Sequence, residues 1–179
     1  MADALNPVVA VVAGDTSGDV KLISANFTRP ADTTAYASGD LVANSTTAGS
    51  VVPLSFAAAA RAAGKGGKIV GARLAKSNAS LTNASFRLHL FTAAPTTITN
   101  GDNGALSTSG VADYIGALDV VVDRAFTDGA FGRSGAPLSG NFLEYVGATT
   151  TLYGLLEARG AYTPASGEVF TVTIATLLD

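Results

Sequence analysis

Few residues in this chain carry groups that could do chemistry, and their spacing decides most cases. Gly64-Lys65-Gly66-Gly67-Lys68 has the glycines and lysines of a phosphate-cradling loop. Ile69 follows, where such a loop needs a Ser or Thr hydroxyl for magnesium, and the third glycine of a dinucleotide fingerprint is missing. Both nucleotide motifs are rejected. A serine nucleophile needs a base, and His89 is the single imidazole of the chain. Around Ser134 the order Gly132-Arg133-Ser134-Gly135 lacks the G-x-S-x-G spacing of a nucleophile elbow. Glu144, Glu157 and Glu168 fall on separate strand-like segments, and Asp119, Asp123 and Asp128 lie at a strand end and in the loop after it. No pair of carboxylates specifies glycoside hydrolysis.

Metal ligands are equally sparse. The chain has no cysteine, which excludes disulfides, thiolate chemistry and Cys-ligated zinc or iron–sulfur sites. One histidine per chain cannot build an imidazole zinc site, although a three-fold axis would bring three copies of His89 together; the plainer reading is a polar group on the less buried face of a strand. Two oxygen-rich turns, Asp15-Thr16-Ser17-Gly18-Asp19 and Asn100-Gly101-Asp102-Asn103-Gly104, are of the kind calcium favours. Neither matches the twelve-residue calcium loop, and turn formation accounts for both. The sequence assigns no catalytic, cofactor or metal residue. Asn26, Asn44, Asn78 and Asn83 open Asn-x-Ser/Thr triplets, which a chain rich in these residues forms by chance.

The elements that would position these groups read as strands. With 179 residues and 47% hydrophobic content, the chain is long enough for one domain with a real core. Charged residues are only 14%, so much of the surface is Ser, Thr, Asn, Gly and Ala. A net charge of −3 and scattered basic residues argue against a nucleic-acid partner. The apolar run at 7–14 (PVVAVVAG) is too short to span a membrane, and the acidic start Met1-Ala2-Asp3 is unlike a signal peptide, so synthesis in a cytoplasm is expected.

Residues 1–18 read as an N-terminal arm or first strand, and 19–179 as one β-sandwich domain. Residues 20–28 form a strand with Lys21, Ile23, Ala25 and Phe27 on one side, ended by Pro30. Leu41-Val42-Ala43 starts a short strand. The spine is expected to be a three-strand meander from Phe56 to Phe91: 57–63 and 69–75 flank the 64–68 turn as a hairpin, and in 86–91 Phe86, Leu88 and Leu90 oppose Arg87, His89 and Phe91. The stretch 92–109 is a long loop with a short helical turn near 105–109, 111–122 is strand, and 123–140 is loop. The segments 142–146, 149–158 and 168–178 are strands, and the last two are expected to pair as a hairpin. Many short strands, glycine-rich turns and no amphipathic helix predict an all-β, antiparallel sandwich or jelly roll with long loops.

Four stretches carry a resemblance: Tyr36-Ala37-Ser38-Gly39-Asp40-Leu41-Val42, RAAGKGGKIVGARLAK at 61–76, Arg87-Leu88-His89-Leu90-Phe91 with Pro95 after it, and Asn100-Gly101-Asp102-Asn103-Gly104-Ala105. The chain resembles the small head decoration, or cement, proteins of tailed bacteriophages. That resemblance implies a β-sandwich or jelly roll, often trimeric, seated on the outside of a capsid, with the major capsid protein as partner and no catalytic residues. The virion would then be its location. The alternative is a glycan-binding tail-tip or adhesin-type module. Such sites stack sugars on exposed aromatics; the chain has no Trp, and Tyr36, Tyr145 and Tyr162 are its candidates. An enzyme ranks last.

Overall fold

The structure is a computed structural model and describes residues 19–135 and 142–179. The expected N-terminal arm, and the acidic turn at 15–19 save its last residue, lie outside the described residues. The fold is all-β. Among the described residues ten strands run β1 (Asp19–Thr28), β2 (Leu41–Val42), β3 (Leu54–Phe56), β4 (Gly66–Lys76), β5 (Ser85–Phe91), β6 (Tyr114–Phe126), β7 (Gly129–Ser134), β8 (Leu143–Val146), β9 (Leu152–Ala158) and β10 (Val169–Leu178). They join in one antiparallel sheet in the order β1-β10-β4-β7-β6-β5-β9-β2, with β3 also on β9 and β8 also on β4. The sheet curls into a half-barrel that brings β1 against β3.

Period-two alternation builds the interior. Leu74 from β4, Phe86, Leu88 and Leu90 from β5, Leu152 and Leu156 from β9, and Phe170, Val172 and Ile174 from β10 all point inward and are buried. Phe86 and Phe170 belong to strands that are not sheet neighbours, yet their rings meet edge to face at 5.5 Å. Each such side chain contributes about 1.5–3 kcal/mol on burial. A smaller apolar cluster of Leu41, Ala43, Phe91 and Leu155 forms on the other side of the β2–β9–β5 region.

Strand pairing departs from several sequence expectations. Residues 57–63 are not a strand but turns and bends, with Ala58 at φ 57°. The alanines are small and poor at filling a pleated surface; instead the loop is pinned by the Tyr145 hydroxyl donating to the Ala59 carbonyl and by Ala59 N–H donating to Thr150 O at 2.7 Å. The Phe56–Phe91 meander therefore does not form: β4 lies between β10 and β7/β8, and β5 lies between β6 and β9. The expected hairpin of the last two strands is likewise absent, since β10 joins β1 and β4 while β9 joins β5, β2 and β3. The 123–140 stretch is not all loop. β6 continues to Phe126, Thr127-Asp128 turns, and β7 returns with Phe126 opposite Gly129. The helical turn sits at Val111–Asp113, one step later than expected, and 105–109 instead contributes the isolated bridges Asp40–Ala105 and Ile98–Thr108.

Gly132 shows how tightly this hairpin is packed. It lies opposite Val122 beside a β-bulge, and an added Cβ would collide with the backbone carbonyl of Val121. Gly132→Ala is expected to cost about 1–3 kcal/mol, because backbone and not a flexible side chain must give way. Urea denaturation measures it; an unchanged midpoint would show that β6 can shift without loss.

Candidate functional site

The polar groups gather in two places: a pair of buried ionic networks and a strip on the outer face. The first network starts where Pro30 ends β1. Arg29 is fully buried, with Nε donating to the Tyr36 hydroxyl at 2.9 Å and Nη2 to Asp102 Oδ2 at 2.8 Å and Asp32 Oδ1 at 3.0 Å. Asp102 Oδ1 accepts from the Tyr36 hydroxyl at 2.7 Å and from Ala43 N–H at 2.8 Å. Asp102 reaches this position because its loop packs against residues 45–46: its own N–H donates to Ser45 O at 2.7 Å, and at Gly101 a Cβ would strike the Thr46 backbone. The one carboxylate of the 100–104 turn thus faces the interior and is taken up by protein donors.

The second network joins the end of β4 to the start of β10. Lys76 Nζ donates to the Tyr162 hydroxyl at 2.9 Å and to the carbonyls of Asn78 and Ser80, and lies 3.5 Å from Glu168 Oε1. The Tyr162 hydroxyl donates to Glu168 Oε1 at 2.7 Å. Burial lowers the Lys76 ammonium below its ordinary value, with Glu168 opposing. Burial, reinforced by Asp102 and Glu168 respectively, pushes the Tyr36 and Tyr162 hydroxyls far above the usual phenol range, so both stay protonated and donate. Burial works against the Arg29 charge, but Tyr36, Asp32 and Asp102 outweigh it and hold the guanidinium ionised.

Tyr36, Tyr145 and Tyr162 are thus not sugar platforms. Tyr36 and Tyr162 serve the buried networks, and Tyr145 is buried against Ala59 with its hydroxyl pushed up to about 12 by burial. Sequence reasoning gave these tyrosines no interior role.

The outer strip crosses β5, β6 and β9. Arg87 grips Asp119 with two bonds, of 2.6 and 2.8 Å. His89 Nε2 is 2.7 Å from Glu157 Oε2, and its Nδ1 is 3.1 Å from the half-exposed Tyr114 hydroxyl. Glu157 Oε1 accepts from Arg159 at 2.9 Å. Strand register explains the grouping, because Arg87 lies opposite Asp119 on β6 and Glu157 on β9. His89 does fall on the outward side of β5, as its alternation implied. Both of its ring nitrogens are engaged within the chain, which removes the geometry for a copy-bridging metal. Among the described residues no group of three or more His, Asp and Glu side chains is placed to hold a metal ion.

Of the other residues singled out, Gly66, Lys68 and Ser134 have structural roles. Gly66 is needed because a Cβ there would overlap the Tyr145 carbonyl, and Lys68 pairs with Glu144 at 3.0 Å. The Ser134 hydroxyl oxygen accepts Ala72 N–H at 2.9 Å. No protein-family model and no curated protein matches the chain significantly.

Two predictions follow from the ionic groups. Asp102→Ala strands a buried guanidinium and is expected to cost about 3–5 kcal/mol, whereas the double replacement R29M/D102L costs less than the single change; chemical denaturation of both variants decides. On the outer strip, the Arg87 hydrogen bond holds the Asp119 carboxyl below its usual range, while for Glu157 burial raises it but His89 and Arg159 outweigh that and leave it lowered. Both depressed values contribute stability above the unfolded carboxylate values near pH 4, and this is lost as pH falls through the lower folded ones. The double variant D119N/E157Q should therefore be less stable than wild type by about 1 kcal/mol at pH 7, with the gap closing at about pH 2.5. A gap of equal size at both pH values contradicts the assignment.

Proposed function

We propose that the protein is a structural virion component: it binds the outer capsid surface, bridges neighbouring major capsid subunits and so stabilises the head. In this reading it acts as a homotrimer, performs no catalysis, and reaches the capsid exterior after synthesis in the host cytoplasm. The resemblance of the 36–42, 61–76, 87–91 and 100–105 stretches to phage decoration proteins supports it. We also read the curled sheet as sandwich-like, in the jelly-roll manner, because Phe86 and Phe170 pack across the core from non-adjacent strands.

The observation that carries the proposal is an apolar outer patch at one end of the sheet. Val20 and Leu22 on β1 are 62% and 49% exposed. In register beside them lie Leu177 and Ala175 of β10, and beyond these Lys68 of β4 and Glu144 of β8, followed by the exposed Val146. A strip of aliphatic side chains around one ion pair suits a protein-facing surface. The glycan-binding alternative loses its three tyrosines to the interior.

The test pairs analytical ultracentrifugation with co-sedimentation on tailed-phage heads assembled from major capsid protein without a decoration protein. The expected results are a trimer, saturable binding, and an approximately tenfold weaker affinity for V20S/L22S, as the loss of two half-exposed aliphatic contacts implies. A chain that stays monomeric and remains in the supernatant with intact heads overturns the proposal.

A further inference from the structure

Three arginines of this protein hold carboxylates, and two others that hold none among the described residues stand opposite each other beside a cleft. Arg29, Arg87 and Arg159 each hold a carboxylate. Arg73 on β4 and Arg133 on β7 hold none among the described residues; they lie directly opposite each other in the ladder, and both are exposed. Their flanking cross-strand neighbours bring no acid either, being Thr173 on the β10 side and Val121 on the β6 side. Thr173 itself is engaged with Ser24 at 2.8 Å. Like charges placed opposite each other destabilise a sheet by a few tenths of a kcal/mol up to about 1 kcal/mol.

The local topology opens space beside these two side chains. β4 pairs with β7 over Arg73–Lys76 and with β8 over Gly66–Ile69, so the ladder forks at Val70–Ala72. An open cleft of about 490 Å³ occupies the fork, walled by Arg73, Arg133 and Ser134 with Val70, Gly71 and Ala175. Gly71 contributes no side chain to its floor, and a Cβ there would lie 3.4 Å from Ser134 Oγ. The Ser134 oxygen accepts the Ala72 N–H, which leaves its own proton without an acceptor among the described residues. Two guanidinium groups and a hydroxyl donor therefore border one solvent-open cleft.

We infer that Arg73, Arg133 and the Ser134 hydroxyl form an oxyanion-binding site at the β4 fork, taking a carboxylate or phosphate group. Guanidinium groups match the planar, multidentate geometry of such ligands, and hydrogen bonds between charged partners are the stronger kind. A bound oxyanion converts the like-charge repulsion into two attractions. The site does not rest on the capsid reading: it stands or falls on the chain alone.

Thermal unfolding of the full chain tests it, comparing sodium phosphate, sodium acetate and sodium chloride at matched ionic strength, for wild type, R73Q and R133Q. An oxyanion at tenfold its Kd is expected to raise the wild-type Tm by about 3–5 °C over chloride, and neither variant should show the increment. In low salt without oxyanion, R133Q should melt no lower than wild type, because it removes a repulsion. Phosphate and acetate acting alike identify a carboxylate-type ligand such as an acidic side chain; phosphate acting alone identifies a phosphate group, and either outcome supports the site. Chloride matching both shows simple screening and overturns it, as does an increment that survives in R133Q. Should the variants fail to fold, a wild-type NMR titration with phosphate decides: saturable shifts at the Arg73 and Arg133 Nε–H groups support the site, and non-saturating shifts overturn it.

Discussion

The burial of Arg29 beside Asp102 is the constraint on which much of the structure depends. Removing two charges from water costs several kcal/mol each, and the attraction between them offsets this only when every remaining donor and acceptor is satisfied. Here the conditions are met by chain segments far apart: the end of β1 supplies Arg29, the following loop Asp32 and Tyr36, the strand at 41–42 leads to the Ala43 N–H, and the 100–104 turn supplies Asp102. A loop displaced from this arrangement would leave a naked charge inside. The second network applies the same rule to Lys76, Tyr162 and Glu168, and Arg29 lies close enough to Tyr162 to oppose the rise in its pKa. The two networks are therefore electrostatic neighbours, and together they fix the long connections that leave β1, β4 and β9.

Spending these charges inside leaves the outside unusually varied from strand to strand. Across β5, β6 and β9 the outer face is a strip of mutually satisfied ions, with Arg87–Asp119 and His89–Glu157–Arg159. Across β4 and β7 stand two arginines with no carboxylate partner among the described residues. Across β1 and β10 the outer side chains are hydroxyls, Ser24 and Thr173, giving way to Val20, Leu22 and Leu177 toward one end. A closed polar strip invites little; the open cations and the aliphatic end are where this surface still has interactions to make.

What could be read from sequence was local. Alternation placed Ile23, Phe86, Leu88, Leu90, Phe170, Val172 and Ile174 inside, because a two-residue period needs only near neighbours. Pairing was not legible. Proximity in the chain favoured joining β4 to β5 and β9 to β10, but in the fold every one of those strands pairs elsewhere. One turn was legible and passed over: Asp128-Gly129 is a strong hairpin signal, and it closes β6 onto β7. The buried ions had no local signal at all. Asp102 sits between two Asn-Gly-type turns and resembles a solvated turn acid, and only its partner 73 positions away reveals its role.

The same non-local pairing bears on how the fold is specified. β1 pairs with β10 from end to end, so the first and last described strands form one ladder, from Asp19–Leu178 to Thr28–Val169. Such contacts are reached late and at high loop-closure cost. A slip of one residue in this ladder would turn the inward side chains of the shifted strand outward, Ile23 if β1 moves or Ile174 if β10 moves. It would also move Arg29, which follows β1 directly, and Glu168, which precedes β10 directly, and Arg29 N–H donates to Glu168 O at 3.0 Å across that junction. Apolar alternation alone sets the face of each strand, yet a slip of two residues would preserve it. The buried ions would not survive that slip, since Asp102 and Lys76 would lose their partners. Register in this half-barrel is therefore held by charge as well as by hydrophobic pattern, at the point where the longest-range ladder of the sheet begins.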